Sequence, residues 1–215
     1  MTTGFTETLR AASEPVWSQA TGHRFVRELL DGSVSDAVMA GYLVQDHRFL
    51  DSFLTLLGAA IATCDNFEAR LRLGRFVGMV SGEENTYFLR AFAALGVTPA
   101  QRQDTPDSRA TAGFKAIMRE AAATRSYAAA LAVLNVAEGL YLDWAQKATP
   151  PLPANFVHAE WITLHDNEFF RDFVAFLRSE LDRVGPDAEA ASRDFFSRTV
   201  LLERDFFDAA YEFHA

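Results

Sequence analysis

Apolar residues recur along most of the chain at intervals of three and four, a spacing that places side chains on one face of an α-helix. No Asn-Gly or Asp-Gly turn lies between two segments of alternating apolar and polar residues, so β-hairpins are not predicted. The pattern therefore predicts an all-α protein.

Capping residues and prolines delimit the predicted helices. Ser35 is a candidate N-cap for a helix that runs to about Cys64, and Asn66 precedes a second helix that ends at Gly96. The polar stretch "TPAQRQDTPDSRA" is the main predicted loop. Further helices are predicted at 108–125, 126–147, 155–183 and 187–213. Because no stretch resembles an interdomain linker, we predict one all-α domain over residues 1–215, a bundle of seven or eight helices.

Three acids lie on apolar helical faces with no cation three or four residues away. They are Asp46 in "GYLVQDHRFLDSF", Glu138 in "AVLNVAEGLYLDW" and Glu203 in "FFSRTVLLERDFFDAAY". Burial of a carboxylate without a partner is costly and raises its pKa, which suits general acid–base catalysis. Alternatively, each acid pairs with another helix and stabilises the bundle. If the three converge, they would form an aromatic-walled pocket that fits a flat heterocycle bearing amino groups.

Composition narrows the class of protein. Of 215 residues, 49% are hydrophobic and 23% are charged, as in ordinary soluble globular proteins. The net charge of −9 argues against nucleic-acid binding, and the basic run "ARLRLGR" is interpreted as a solvated helix face. A single cysteine, Cys64, excludes an internal disulfide framework. With no signal-peptide pattern and no apolar run long enough to span a bilayer, we expect a cytoplasmic protein without a membrane partner.

Four segments together resemble the TenA/thiaminase II family, which has a haem-oxygenase-like all-α fold. "LVQDHRFL" is similar to the segment whose aspartate binds an aminopyrimidine, here Asp46. "ALAVLNVAEGLYLDW" resembles the helix that carries a catalytic cysteine in one branch, and "FVHAEWITLHDNEFFRDFV" resembles the W-x-x-x-Y segment. "FSRTVLLERDFFDAAYEF" is similar to the C-terminal helix whose glutamate is the catalytic acid, here Glu203. The match covers nearly the whole chain.

Departures from the family pattern concern the cysteine and three tyrosines. Ala137 stands at the cysteine position and Glu138 follows it, which resembles the branch that lacks the cysteine and is rich in active-site glutamate. Phe49, Phe114 and His165 replace tyrosines. Stacking should survive these replacements, whereas hydrogen bonds from the phenol groups should not. The substrate can therefore differ from the usual one of the family.

The resemblance implies a hydrolase for aminomethyl- or formylaminomethyl-pyrimidine in thiamine salvage, without a metal or organic cofactor. Asp46 would bind the amidine edge of the ring, and Glu203 would protonate the departing amine. Glu138 would activate water or hold that amine. Further substrate-binding residues would be Phe49, Phe114, Tyr141, His165 and Phe207. The family is commonly a homotetramer, so a homo-oligomer, a dimer or a tetramer, is expected.

Two other functions fit parts of the sequence. A non-catalytic pyrimidine-binding or regulatory protein would tolerate the missing cysteine and tyrosines, although it does not need the isolated Glu203. A di-iron oxidase of the same fold would use His158 and His165, but Ile162 stands where a carboxylate ligand is needed. We expect one of these histidines at the surface and one in a pocket or the core. Glu83 and Glu84 are expected to be an exposed acid pair.

Overall fold

The computed structural model describes residues 4–212, and the regular structure within that range is helical throughout. The predicted all-α class is therefore confirmed. A π-helical turn, Val80–Glu84, and a 3₁₀ turn, Pro186–Ala188, lie between α-helices. The α-helices are α1 (Phe5–Ala12), α2 (Val16–Thr21), α3 (Arg24–Asp31), α4 (Asp36–Thr63), α5 (Phe67–Met79), α6 (Asn85–Ala94), α7 (Pro99–Asp104), α8 (Arg109–Ala123), α9 (Tyr127–Ala145), α10 (Phe156–Leu164), α11 (Glu168–Val184) and α12 (Glu189–Ala209).

Side-chain caps start four of the long helices at the predicted places. Ser35, Asn66, Ser108 and Ser126 each accept a hydrogen bond from a backbone N–H in the first turn of α4, α5, α8 and α9 respectively. Each cap satisfies an N–H group that would otherwise lack an intrahelical partner.

The segment 155–183, predicted as one helix, is interrupted after Leu164. Asn167 explains the break, because its side chain caps both neighbouring helices: its Nδ2 donates to the carbonyls of Thr163 and Leu164, and its Oδ1 accepts from the N–H of Phe170. Three short helices precede residue 35, and α7 lies within the predicted loop. The predicted end of the last helix at residue 213 lies outside the described residues.

Helix α9 is the centre of the bundle. All of its residues except Ala137 and Asp143 are buried, as expected for a helix that is apolar on every side. It packs against α4, α8, α11 and α12, while α4 also packs against α5, α6 and α8. This arrangement brings the middles of α4, α9 and α12 together. Between residues 4 and 212 there is no helix whose length and apolar character would let it cross a bilayer.

Candidate active site

A cavity of about 430 Å³, including its opening, lies between these central helices. Its wall contains four acidic residues, one histidine, five aromatic residues and a few aliphatic ones. The lining residues are Asp46, Phe49, Leu50, Phe53, Glu84, Phe114, Met118, Ala137, Glu138, Tyr141, Trp161, His165 and Glu203.

Seven of the eight predicted site residues line this one cavity; they are Asp46, Phe49, Phe114, Glu138, Tyr141, His165 and Glu203. The exception is Phe207, which was expected in the wall. It lies one helical turn beyond Glu203 and is fully buried, with its ring stacked on Phe25 and Tyr42. Phe207 therefore supports the residues behind the cavity and does not form its surface.

Three carboxyls reach the cavity from three different helices. Asp46 on α4, Glu138 on α9 and Glu203 on α12 are 3%, 8% and 2% exposed. None of them hydrogen-bonds to another group of the described chain. No lysine or arginine is among the described residues that line the cavity. The three acids therefore lack a partner on other helices of the described chain as well as on their own.

Burial is the main cause that raises the pKa of all three carboxyls well above the usual range. Mutual repulsion adds to it, since the charge of Asp46 raises the pKa of Glu138 and of Glu203. An empty cavity therefore favours the protonated acids. A cationic ligand would favour the ionised forms instead.

Glu84 is a fourth acid of the cavity and was not predicted there. Glu83 is exposed, as expected, but Glu84 is half-buried and lines the cavity. Burial raises the pKa of Glu84 to about 7. The π-helical turn that ends at Glu84 inserts an extra residue, and such turns are frequent at functional sites.

Aromatic side chains form the rest of the wall. The ring centroids of Phe49 and Phe114 are 5.5 Å apart, and those of Tyr141 and His165 are 4.8 Å apart. The hydroxyl of Tyr141 hydrogen-bonds to the hydroxyl of Tyr42 at 2.6 Å. Burial is the main cause that raises the pKa of both phenols. Both tyrosines are therefore neutral hydrogen-bonding groups.

His165 is held in one neutral tautomer. Its Nδ1 lies 2.8 Å from the carbonyl oxygen of Trp161, which can only accept, so Nδ1 carries the proton. Burial lowers the pKa of His165 to about 4, and the bond to Trp161 opposes this shift only in part. The remaining nitrogen, Nε2, is consequently an acceptor.

The neighbours of Asp46 on α4 fix the surrounding helices. Gln45 accepts hydrogen bonds from the N–H of Ser108 at 2.8 Å and from the hydroxyl of Thr111 at 2.7 Å, both at the start of α8. His47 bonds to Asn85, the residue after Glu84, at 3.1 Å. The two neighbours of Asp46 thus tie α4 to the start of α8 and to the start of α6.

Comparison with known proteins agrees with this geometry. A model of the TENA/THI-4/PQQC family matches residues 10–213. The chain belongs to this family. Membership supports a thiamine-related role in general, and the family includes thiaminase-like hydrolases.

Solved structures of TenA-like proteins have the same fold. A TenA homologue from P. horikoshii has a TM-score of 0.87 at 19% identity, covering 98% of this chain and 99% of that one. A protein named a TenA family transcription regulator, from Silicibacter, has a TM-score of 0.84 at 20% identity, with 96% of each chain covered. A candidate TenA-like thiaminase from Sulfolobus solfataricus has a TM-score of 0.81 at 17% identity, covering 98% and 97%. The haem-oxygenase-like fold is also confirmed, by a TM-score of 0.68 to a domain described in those terms.

Ala137, which the sequence resemblance aligns with the catalytic cysteine, faces the cavity. Ala137 is one of the lining residues, and its methyl group leaves that part of the wall without a nucleophile. Cys64 is buried elsewhere, and its thiol donates to the carbonyl of Asn66 at 3.3 Å. Cys64 therefore cannot replace the missing cysteine.

No metal site is formed by the predicted histidines within residues 4–212. His158 is buried, contrary to the expectation that one histidine lies at the surface, and neither of its ring nitrogens has a hydrogen-bond partner. The one described group with metal-ligand spacing is Cys64, Asp65 and Glu180, outside the cavity. Arg183 binds both of those carboxylates, at 2.6 Å and 2.7 Å, so they are already neutralised.

Proposed function

We propose that this protein is a cysteine-independent hydrolase that cleaves a C–N bond of aminomethyl- or formylaminomethyl-pyrimidine in thiamine salvage. One observation carries the proposal: four carboxyls and several aromatic rings share a single cavity that no described lysine or arginine lines. Carboxyls and aromatic rings are the groups that would bind a flat ring bearing amino groups. The thiaminase name of the Sulfolobus neighbour agrees with this class of substrate.

In the proposed complex, Asp46 binds the amidine edge of the pyrimidine. One carboxylate can pair with a protonated ring nitrogen and an adjacent exocyclic amine at once, which gives a short and strong pair of hydrogen bonds. The rings of Phe49 and Phe114 pack against the faces of the substrate. Tyr141 closes the wall and offers a hydroxyl that Tyr42 already orients at 2.6 Å.

Glu203 is proposed to act as the acid. At neutral pH the raised pKa of this carboxyl keeps a proton available for the departing nitrogen. The carbon–nitrogen bond breaks as that proton moves to nitrogen, so the amine leaves in neutral form. Water supplies the new oxygen, because Ala137 offers no side chain that could attack the substrate. Glu138, beside Ala137, holds that water or the amine.

Detection of the product by mass spectrometry tests this function. The protein is incubated separately with aminomethyl-pyrimidine, with its formyl derivative and with thiamine. We expect hydroxymethyl-pyrimidine from at least one of them, and loss of the product in Glu203→Gln and Asp46→Asn. Loss of a positioned acid should lower the rate by about 10² to 10⁴-fold.

Matched controls lie on the same two helices. Asp205→Asn changes an exposed acid of α12 that pairs with Arg204, and Asp51→Asn changes an exposed acid of α4 that pairs with Arg119. Both should keep the wild-type rate. If wild type binds the pyrimidines, seen as a thermal shift, but converts none of them, the hydrolase proposal is wrong and the protein is a pyrimidine-binding one.

A further inference from the structure

Glu84 has no structural role that accounts for its position. It makes no hydrogen bond or ion pair with another described residue, although the side chains around it do. The hydroxyls of Ser81 and Thr86 donate to the carbonyls of Val77 and Gly82, both at 2.7 Å, and so stabilise the π-helical turn. Asn85 is tied to His47 on α4. The local structure thus fixes the backbone at Glu84 and leaves its carboxyl free in the cavity.

Glu84 and Glu203 lie on different sides of the central acids. Glu84 comes from the turn between α5 and α6, which pack on α4, whereas Glu203 comes from α12, which packs on α8 and α9. Electrostatic coupling agrees with this order. After burial, the charge of Glu84 is the next cause that raises the pKa of Asp46 and of Glu138, while Asp46 and Glu138 raise that of Glu203. Asp46 and Glu138 are therefore coupled to Glu84 as well as to Glu203, whereas Glu84 is not among the charges that raise the pKa of Glu203.

Glu84 is the most exposed of the four cavity acids, which favours proton exchange with solvent at this position. Asp46, Glu138 and Glu203 are at most 8% exposed, whereas Glu84 is half-buried and directly follows the exposed Glu83. A base must release the proton that it has taken before the next turnover. The position of Glu84 at the edge of the cavity meets this requirement.

We propose that Glu84 is the general base of the site, paired with Glu138, and that it takes a proton from the attacking water on the side away from Glu203. This inference rests on the proposed hydrolase function. Water loses one proton to the Glu84 carboxylate as its oxygen bonds to carbon. The carbon–nitrogen bond breaks with its electron pair on nitrogen, which receives the proton of Glu203. Solvent then restores both carboxyls.

Burial, and no neighbouring charge, raises the pKa of Glu84. Asp46 on α4 and Glu138 on α9 face it with negative charge when ionised, and His165 after α10 is neutral. No lysine or arginine of the described chain lines the cavity to lower its pKa. Burial places that pKa at about 7, which is suitable for a base at neutral pH.

Steady-state kinetics between pH 5.5 and 8.5, with aminomethyl-pyrimidine as the substrate, test the inference. In wild type, kcat should rise with pH and level off above about 7, where Glu84 is ionised. Glu84→Gln should lower kcat about 100-fold or more while KM changes by less than about threefold. In Glu84→Gln, kcat should no longer rise with pH. In Glu84→Ala, added formate should restore part of kcat in proportion to its concentration.

Glu83→Gln is the control, since it makes the same change one residue earlier at an exposed position of the same turn. It should keep the wild-type kcat and pH profile. If Glu84→Gln has the same kcat and pH profile as Glu83→Gln, Glu84 is not the base. The same conclusion follows if formate restores no activity in Glu84→Ala. In either case the hydrolase proposal stands without Glu84. If wild type itself converts no pyrimidine, the hydrolase proposal fails first and the role of Glu84 fails with it.

Discussion

Each cavity carboxyl carries a free-energy cost that the rest of the fold offsets. Asp46, Glu138 and Glu203 are buried without a hydrogen-bond donor, so they remain neutral or pay for desolvation of their charge. The three could be predicted from sequence because no cation occupies the neighbouring helical positions. The tertiary structure brings no lysine or arginine of the described chain into the lining of the cavity either, so inspection of the neighbouring helical positions was sufficient to find these acids.

Glu84→Gln should stabilise the protein at high pH. The folded pKa is about 7 and the ordinary value is 4.5, so the folded state keeps a proton that the unfolded state releases between these values. Stability from this group is therefore present below pH 4.5 and lost as pH rises to 7. Removing the charge should recover about 3 kcal/mol at pH 8 and almost nothing at pH 4.5.

Urea denaturation of Glu84→Gln, Glu83→Gln and wild type at the two pH values measures this effect. The exposed Glu83 should show no such difference. An equal free energy of unfolding for Glu84→Gln and wild type at both pH values would show that the Glu84 carboxyl is well solvated, against its position in the cavity.

The buried hydroxyl pair of Tyr42 and Tyr141 should behave as one unit. Either single change to Phe leaves one buried hydroxyl without its partner at 2.6 Å, which should cost about 1 to 3 kcal/mol. The double variant removes both polar groups and should be more stable than the sum of the single effects predicts. Thermal or urea unfolding of the four proteins gives the coupling energy. Additive effects would mean that the two hydroxyls do not stabilise each other.

At the scale of helices, caps were predictable and interruptions were not. Ser35, Asn66, Ser108 and Ser126 act within one turn of sequence, so their role follows from the sequence alone. The π-helical turn at 80–84 has no comparable local signal, and the residue after it, Asn85, hydrogen-bonds to His47 on a different helix. For this reason Glu84 was expected at the surface.

Asn167 should be among the most sensitive polar residues of the corner between α10 and α11. Asn167→Ala removes the cap of α11 and two hydrogen bonds to the end of α10, and should cost about 2 kcal/mol. Asn167→Asp keeps the acceptor and should cost less. Urea denaturation measures both variants.

Asn155→Ala is the matched comparison, because Asn155 caps only the start of α10 through a single bond to Val157. It should cost about 1 kcal/mol. If Asn167→Ala costs no more than Asn155→Ala, the additional bonds of Asn167 to α10 contribute nothing to stability.

For the whole molecule, buried histidines and buried acids give opposite responses to pH. Burial lowers the pKa of His165 to about 4 and also lowers that of His158, so both resist protonation when folded. Because the unfolded chain takes up these protons first, stability is lost as pH falls below 6.5. The acids reduce stability as pH rises instead.

His165→Phe should therefore flatten the acid side of the stability profile. The free energy of unfolding of the variant, measured relative to that of wild type, should rise by about 3 kcal/mol from pH 7 to pH 4. This change does not depend on how stable the variant is at pH 7. The free energy of unfolding as a function of pH checks this. A wild-type and a variant profile that remain parallel over this range would place the His165 ring in contact with solvent.

Four acids in an uncompensated cavity also have a calorimetric consequence. A cationic pyrimidine that enters the cavity favours their ionised forms, so the complex should expel protons into the buffer. The observed binding enthalpy should then vary linearly with the ionisation enthalpy of the buffer, and the slope counts the protons released. A titration in phosphate and in Tris thus reports how many of the carboxyls change their charge when the ligand arrives.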